Sequence, residues 1–358
     1  MSASSSAVRN LHTFVEIFSQ PATWLASQRE LAADAAFQKA VNAAPSRKEW
    51  LFVGCGTSFY LAEAAASAWT LLTGQRARAL PASEVLLFPR LAQLGAADLQ
   101  AVVISRSGKT SEAIRAAELL TKKHKVATLG ITCAASSELS KACNLTIAIP
   151  SADEKSMVMT RSFTSMLLTL IELAASQSNI GSFSAAIEAI AGSLSAKIES
   201  FHAHMEEFVA KHTFADYIYL AQGPFFAIAR EAALKTTEMS CSYAQPYHTL
   251  EFRHGPKSIV APQTCLTFFL SESGMDDESE VLKEMKELGG TIIAVCNHAS
   301  DAVRASSDLV FEIEADAPEL ALLAPFVAPA QLLGFHTGVK KGLNPDEPKN
   351  LSRVVILD

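Results

Sequence analysis

The chain of 358 residues lacks the features that mark secreted, metal-binding or nucleic-acid-binding proteins. Its six cysteines are scattered, with no CxxC pair and no metal-ligand spacing, which predicts free thiols in a reducing cytoplasmic setting and no metal. It has no block of Lys and Arg, and its formal net charge is −7, so nucleic acid is not an expected partner.

Signals for export or membrane insertion are also missing. The first ten residues are rich in Ser and Ala without the apolar core of a signal peptide. The longest apolar stretch, 320–335, is interrupted by Pro325, Pro329 and Gln331, so no membrane-spanning segment is expected. These absences predict a soluble protein.

What is present is an alternation of short apolar runs with segments of helical periodicity, which is typical of α/β proteins. Apolar residues make up 49 % of the chain and its length is sufficient for two domains. The predicted strands are 50–53, 101–104, 126–132, 145–149, 217–220, 265–270, 291–295 and 309–313. A connecting helix is predicted over 190–212.

The two halves have the same spacing, which indicates a duplication. Three pairs of landmarks lie 167, 166 and 164 residues apart: Gly56 and Gly223, Ser105 and Ser271, Leu145 and Leu309. The segment SRSGKTSEAIRAAELL from 105 matches SESGMDDESEVLKEMK from 271, each after a strand and before a helix. Two tandem doubly wound sheets are predicted.

The SRSGKT segment at 105–110 is a candidate phosphate site. It follows a predicted strand at the sheet edge where helix N-termini offer free N–H groups, and it combines three hydroxyls, a glycine and two cations. The alternative is that Ser107 or Thr110 only caps the next helix. The second copy continues from Ser271 into three acidic residues, 276–278, which would repel phosphate, so the first copy is expected to bind it.

A second loop, GCGTSF at 54–59, places two glycines and two hydroxyls at the same edge. It lacks the GxGxxG pattern and the acidic residue about 20 positions later that a dinucleotide site uses, which argues against a nicotinamide enzyme. No cofactor is predicted. The segment 160–164 supplies either further hydroxyls or a helix cap.

Candidate acid and base groups occur in the second half. Glu231, Lys235 and Glu238 are spaced to share one face of a helix beginning near Ala227, where a surface ion-pair ladder is the alternative. His254 stands in a loop with Gly and Pro neighbours that would hold its imidazole. Carboxylate and imidazole together suit proton transfer on a sugar.

These motifs together resemble the sugar isomerase (SIS) domain family, and most closely the isomerase half of glucosamine-6-phosphate synthase. The resemblance runs almost end to end and rests on Glu16-Ile17, Gln20-Pro21, GCGTS at 54–58, SRSGKT at 105–110, EAALKTTEMS at 231–240, HGP at 254–256 and PKNLSRVV at 348–355. It implies an α/β fold of two tandem SIS domains, each a doubly wound parallel five-stranded sheet flanked by helices. The expected ranges are 1–44 (N-terminal helical segment), 45–190 and 191–340 (the two domains) and 341–358 (a tail closing the site).

The resemblance also implies residue roles. Glu238 would move the proton between C1 and C2 with Lys235 assisting, and His254 would open the sugar ring from the partner subunit of a homodimer with shared active sites. The residues implied in substrate binding are Ser58, Ser105, Arg106, Ser107 and Thr110.

Two departures from the synthase shape the expected activity. Arg353 stands where the synthase has an imine-forming lysine, and a guanidinium cannot be that nucleophile, so it would clamp the ring oxygen or phosphate. Met1-Ser2 offers no N-terminal cysteine, so glutamine is not expected as nitrogen donor. The prediction is a deaminase/isomerase acting on a phosphorylated hexosamine or hexose. Alternatives are a plain ketose/aldose isomerase, a deglycase of a sugar-phosphate amino-acid adduct, and a non-catalytic phosphosugar-binding regulator.

Overall fold

The computed structural model, which describes residues 8–94 and 98–357, contains two parallel five-stranded sheets. The strands of the first sheet are β1 (Glu49–Gly54), β2 (Arg76–Pro81), β3 (Leu99–Ile104), β4 (Ala127–Thr132) and β5 (Leu145–Ala148). Those of the second are β6 (Asp216–Ala221), β7 (Ala244–His248), β8 (Thr264–Phe269), β9 (Thr291–Cys296) and β10 (Leu309–Glu312). The orders β2-β1-β3-β4-β5 and β7-β6-β8-β9-β10 are the same arrangement, which confirms the predicted duplicated α/β fold.

Helices precede β1, connect the strands of each sheet, link β5 to β6 and follow β10. They are α1 (His12–Phe18), α2 (Gln20–Ala33), α3 (Ala35–Ala43), α4 (Thr57–Thr73), α5 (Ala82–Leu87), α6 (Ser111–Glu118), α7 (Glu138–Ala142), α8 (Arg161–Ala175), α9 (Ser184–Lys211), α10 (Phe225–Ser240), α11 (Met275–Glu287), α12 (Asp301–Ala305) and α13 (Leu323–Lys340). The helix predicted over 190–212 is α9, which begins six residues earlier.

The described residues divide into two compact units. The first unit contains Ala22–Glu154, Arg161–Glu188 and 352–357, and the second contains 8–21, Lys155–Thr160 and Ala189–Leu351. Each unit holds one sheet and is built from three separate pieces of chain. The ranges 45–190 and 191–340 stay predictions for the limits of the two SIS domains.

The first unit packs helices on its sheet through alternating side chains of the central strands. Leu51 and Val53 of β1 are fully buried in one core, while Trp50 lies on the opposite face. There the rings of Trp50 and Trp69 are 3.8 Å apart, and both indole N–H groups donate to the side-chain oxygen of Gln75. Both donors of this buried aromatic pair are therefore satisfied.

The second unit is centred on α13. By length and composition the segment Glu319–Lys340 could cross a membrane, although its interruptions by Pro325, Pro329 and Gln331 predicted no membrane-spanning segment. However, 94 % of its most apolar 18-residue window is buried inside the protein. Gly338 permits close packing here, because a Cβ at this position would lie 2.2 Å from the carbonyl oxygen of Met239 in α10.

The strand order positions the candidate loops of the first unit. In a doubly wound sheet, ligands bind beyond the carboxyl ends of the strands, where successive connections leave in opposite directions. In the order β2-β1-β3-β4-β5 this point lies between β1 and β3. The loops at 54–59 and 105–110 follow these two strands.

Candidate active site

The candidate phosphate loop, 105–110, joins β3 to α6. Its backbone is fixed from several sides: Ser105 N–H donates to the Ile131 carbonyl at 3.0 Å, and the Arg106 carbonyl accepts from Cys133 N–H at 2.9 Å and from the Thr132 hydroxyl at 3.0 Å. Ser105 is buried, whereas Ser107 and Thr110 are half-buried. The loop is therefore held rigidly while two of its hydroxyls remain partly accessible.

Gly108 is required by this conformation for two reasons. Its φ of +62° lies in the left-handed region, and a Cβ at this position would lie 2.2 Å from the hydroxyl oxygen of Ser137. The Gly108 carbonyl also accepts from Leu139 N–H at 3.0 Å. The turn of the loop is thus locked against the first turn of α7.

The hydroxyls of the loop do not cap α6. Thr110 is the N-cap residue by position, yet its side chain makes no capping hydrogen bond, and the Ser105 hydroxyl donates to it at 3.2 Å. The Ser107 hydroxyl accepts from Lys109 N–H at 3.2 Å, before the helix begins. The alternative that these residues serve only as helix caps is therefore wrong.

Arg106 is buried instead of facing solvent. Its guanidinium lies 3.2 Å from the carboxylate of Glu154, and the two side chains are 4 % and 0 % exposed. Glu154 also accepts from the backbone N–H of Ser162 at 3.2 Å and from the Ser162 hydroxyl, so it caps α8. Arg106 thus ties the loop to the start of α8, and direct phosphate contact by its guanidinium stays a prediction.

Arg353 joins the same network from the C-terminal tail. Its guanidinium donates to the Asp153 carboxylate at 2.9 Å and to the Glu154 carbonyl, and its own carbonyl accepts from Arg106 at 3.3 Å. Two residues further on, the Val355 carbonyl accepts from Ser111 N–H, the first residue of α6, at 3.2 Å. The tail therefore lies along the phosphate-loop side of the first unit.

Ser58 occupies the first turn of α4, directly after the β1 loop, and is 6 % exposed. Its backbone N–H donates to the Cys55 carbonyl at 3.1 Å. The position after β1 makes Ser58 a neighbour of the β3 loop at the switch point of the sheet, although its contact with a sugar hydroxyl stays a prediction.

The candidate acid and base residues of the second unit lie on α10. Lys235 is buried between two carboxylates, 3.5 Å from Glu231 and in direct contact with Glu238. The side chains of Glu231 and Lys235 are 0 % and 1 % exposed, whereas that of Glu238 is 18 % exposed. The surface ladder considered from the sequence is therefore wrong: the cluster is internal and presents one carboxylate outward.

His254 follows the short 3₁₀ turn Glu251–Arg253 and is exposed. Its backbone N–H donates to the Glu251 carbonyl at 2.9 Å, and the next residue, Gly255, has a φ of +128°. The backbone of the loop is thus defined while the imidazole is exposed, and a role of His254 in ring opening stays a prediction.

The second unit has its own copy of the 105–110 loop, between β8 and α11. Here the hydroxyl of Ser271 donates to the carboxylate of Glu278 at 2.5 Å, and the hydroxyl of Ser273 donates to Glu319 at 2.6 Å. Glu278 is 1 % exposed, and burial raises the pKa of its carboxyl, with hydrogen bonds from Ser271 and Thr249 opposing the rise. Internal acceptors therefore occupy the hydroxyls of this copy.

Several residues that hold the candidate site in place were not identified from the sequence. Asp153 and Glu154 stand eight and seven residues before the first residue of α8, too far from it for the sequence to indicate a helix cap. The segment 160–164, predicted to supply hydroxyls or a cap, contributes Ser162 to the Glu154 network.

All six cysteines are free, as predicted.

Comparison with known proteins agrees with the fold. The sequence model of the SIS domain matches residues 46–176 and 216–336. The glutamine–fructose-6-phosphate aminotransferase (isomerizing) of Pyrobaculum aerophilum is 26 % identical over 356 residues, covering 96 % of this chain and 57 % of that protein. The Escherichia coli enzyme of that name is 27 % identical over 271 residues, covering 72 % of this chain and 44 % of the enzyme. The chain thus spans about half the length of the curated relatives it matches.

Solved structures match over nearly the whole chain. A glucosamine-6-phosphate deaminase from Thermotoga maritima is 28 % identical, with a TM-score of 0.76 over 97 % of this chain and 100 % of that one. A tagatose-6-phosphate ketose/aldose isomerase from Escherichia coli, 24 % identical, shares the fold with a TM-score of 0.82 over 98 % of both chains. With two matched segments, two sheets of one topology and the loops described above, the chain belongs to the SIS domain family.

Proposed function

We propose that the chain is an aminosugar-phosphate deaminase/isomerase that converts an aldosamine 6-phosphate, with glucosamine 6-phosphate as the first candidate, into a ketose 6-phosphate and ammonia. The observation that carries this proposal is the α10 cluster, in which a buried lysine supports a single accessible carboxylate, Glu238. A carboxylate placed in this way suits the transfer of a proton between adjacent carbons.

The proposed reaction uses one molecule of water. His254 assists opening of the ring, and Glu238 removes the proton from C2 of the open aldosamine and returns it to C1. The product of this shift is an imine at C2, which water hydrolyses to the ketone and ammonia. The hydroxyls of Ser107 and Thr110, with the backbone of the loop, hold the 6-phosphate.

Two observations favour deamination over the alternatives. The deaminase from Thermotoga maritima matches this chain at 28 % identity over its full length. Arg353, whose guanidinium is bonded to Asp153, stays protonated and cannot form the imine that a lysine forms in the synthase. A plain ketose/aldose isomerase would use the same α10 cluster, and the two activities differ only in the group at C2.

The proposal is tested by incubating the purified protein with glucosamine 6-phosphate and measuring free ammonia and fructose 6-phosphate together. Both products in equal amounts support the deaminase. Interconversion of ketose and aldose 6-phosphates without ammonia from any hexosamine phosphate would identify the plain isomerase. A panel of gluco- and galacto-configured sugar 6-phosphates, with and without the amino group, distinguishes the deaminase from the plain isomerase.

The role of Glu238 has a separate test. Glu238→Gln should abolish exchange of the C2 proton with solvent and leave binding of the phosphorylated sugar unchanged. Glu280→Gln, which changes an exposed glutamate of α11 in the same unit, is the matched control and should retain exchange. Exchange that persists in Glu238→Gln would remove this residue from proton transfer.

A further inference from the structure

The loop that carries His254 consists of two short 3₁₀ turns. The turns are Glu251–Arg253 and Pro256–Ile259, and His254 and Gly255 join them. Gly255 has a φ of +128°, which glycine adopts more readily than other residues. The backbone hydrogen bonds from His254 N–H to the Glu251 carbonyl and from Ser258 N–H to the Gly255 carbonyl are both local. The orientation of the imidazole therefore depends on what holds the two turns against the rest of the unit.

One carboxylate, that of Glu284 in α11, is bonded to both turns. Arg253 Nε donates to one of its oxygens at 2.8 Å, and Lys257 Nζ donates to the other at 2.5 Å. Arg253 directly precedes His254, and Lys257 lies in the second turn. The hydrogen bonds from Lys257 and Arg253 lower the pKa of the Glu284 carboxyl, which keeps it ionised at neutral pH. Glu284 thus bridges the loop on both sides of the imidazole.

The helix that carries Glu284 is fixed to the second sheet. Val281, Leu282 and Met285 of α11 are fully buried, and they belong to the same core as Phe252 of the first turn. The loop therefore has an apolar contact through Phe252 and an ionic contact through Glu284, and both lead to one core. Such a base is rigid enough to define where the loop lies.

The ionic bridge is too exposed to contribute much to the stability of the fold. The side chains of Glu284, Arg253 and Lys257 are 30 %, 36 % and 40 % exposed, and ion pairs at such exposure stabilise a protein only weakly. Displacement of a catalytic group by about 1 Å, in contrast, can slow a reaction by about 100-fold. The larger consequence of the bridge is therefore expected at the imidazole.

We infer that Glu284 is a positioning residue for His254: it holds the two turns so that the imidazole is presented to the sugar ring in one orientation, and it acts on the reaction only through His254. This inference rests on the proposed function, in which His254 assists ring opening. It gives a part in the reaction to α11, the helix after the second copy of the 105–110 loop.

The first test compares kcat with KM for the sugar 6-phosphate of the panel above that the unaltered protein converts fastest. Glu284→Gln should lower kcat by about 10- to 100-fold and change KM by no more than about twofold, because the 105–110 loop still holds the phosphate. Lys286→Gln is the matched control, since it removes from the same helix an ion pair with Asp308 whose side chains are 38 % and 32 % exposed. It should change neither constant, and both variants should unfold at similar urea concentrations.

The second test is a double-mutant cycle with His254→Ala. Adding Glu284→Gln to this variant should lower its remaining kcat no further, because no imidazole is left to position. A full additional loss in the double variant, or an unaltered kcat in Glu284→Gln alone, would overturn the inference. Failure of the proposed function looks different: the unaltered protein would convert no sugar of the panel, or His254→Ala would keep full activity, and the inference would then be wrong with it.

Discussion

The guanidinium of Arg106 and the carboxylate of Glu154 form an ion pair in which neither side chain is more than 4 % exposed. Because both charges are withdrawn from water, the pair depends on the further hydrogen bonds around it, from Ser162 to Glu154 and from Arg106 to the Arg353 carbonyl. The phosphate loop, the start of α8 and the C-terminal tail are thus joined through one buried charge pair.

Breaking this pair on one side should be costly. Glu154→Gln removes the carboxylate charge from this buried ion pair, and we expect a loss of about 3–5 kcal/mol in the free energy of unfolding, measured with urea. Glu118→Gln, in the exposed pair of Glu118 with Lys122, is the matched control and should cost about 0.5 kcal/mol or less. Similar losses in both variants would show that the Arg106 pair is no more important than a surface pair.

Loss of loop hydroxyls should weaken substrate binding. Ser107→Ala combined with Thr110→Ala should raise KM for the phosphorylated sugar by roughly 10- to 100-fold, since each hydrogen bond to a charged oxygen is worth about 1.5 kcal/mol. Ser273→Ala changes the equivalent hydroxyl of the second unit, which is bonded to Glu319, and should leave KM unchanged. An unaltered KM in the double variant would exclude these hydroxyls from phosphate binding.

Adding a methyl group at Gly338 should disturb the helix that carries Glu238. The new Cβ would lie 2.2 Å from the Met239 carbonyl oxygen, so α13 and α10 must separate, and we expect Gly338→Ala to cost about 1–3 kcal/mol of stability or more. Gly192, within α9, has nothing within 4 Å of such a Cβ. Gly192→Ala should therefore stabilise the protein by about 0.5–1 kcal/mol.

Acid should destabilise the second unit through a buried histidine. His336 is 4 % exposed, and burial together with the neighbouring His202, 2.9 Å away, lowers the pKa of His336 to about 3. Its ordinary pKa in the unfolded chain is about 6.5, so the unfolded state binds the proton first, and stability is lost as the pH falls from that value.

Unfolding by urea at a series of pH values measures this effect. Between pH 6.5 and 4.5 the free energy of unfolding should fall by about 2–3 kcal/mol on account of this group. His336→Gln should show a shallower fall, whereas substitution of the exposed His298 by Gln should not change the slope. Identical slopes in all three proteins would exclude His336 as the source.

All eight predicted apolar runs are strands. Six of them are central strands, which are apolar on both faces in a parallel sheet, and the other two, β5 and β10, are edge strands with largely apolar sequences. The two that carry no apolar run, β2 and β7, lie at sheet edges, where most of their residues are half-buried. Their sequences, RARALP and AQPYH, are too polar or contain proline, so periodicity alone could not find them.

The candidate site was predictable where its residues stand close together in a motif. The 105–110 loop and the Glu231, Lys235 and Glu238 spacing were both found, but the burial of Lys235 and Arg106 was not, since charged residues are ordinarily placed on the surface. Partners such as Glu154 lie 48 residues from Arg106 in the chain, and this pairing is created only by folding.

The order in which the chain is synthesised has a consequence for the first unit. Its sheet is complete at residue 148, but Ser111, at the start of α6, receives its backbone partner from Val355. During translation, more than two hundred further residues must therefore be added before the start of α6 can form this bond. Ribosome-bound chains that stop short of the tail would hold a finished sheet in which the first N–H of α6 has not yet formed its bond to Val355.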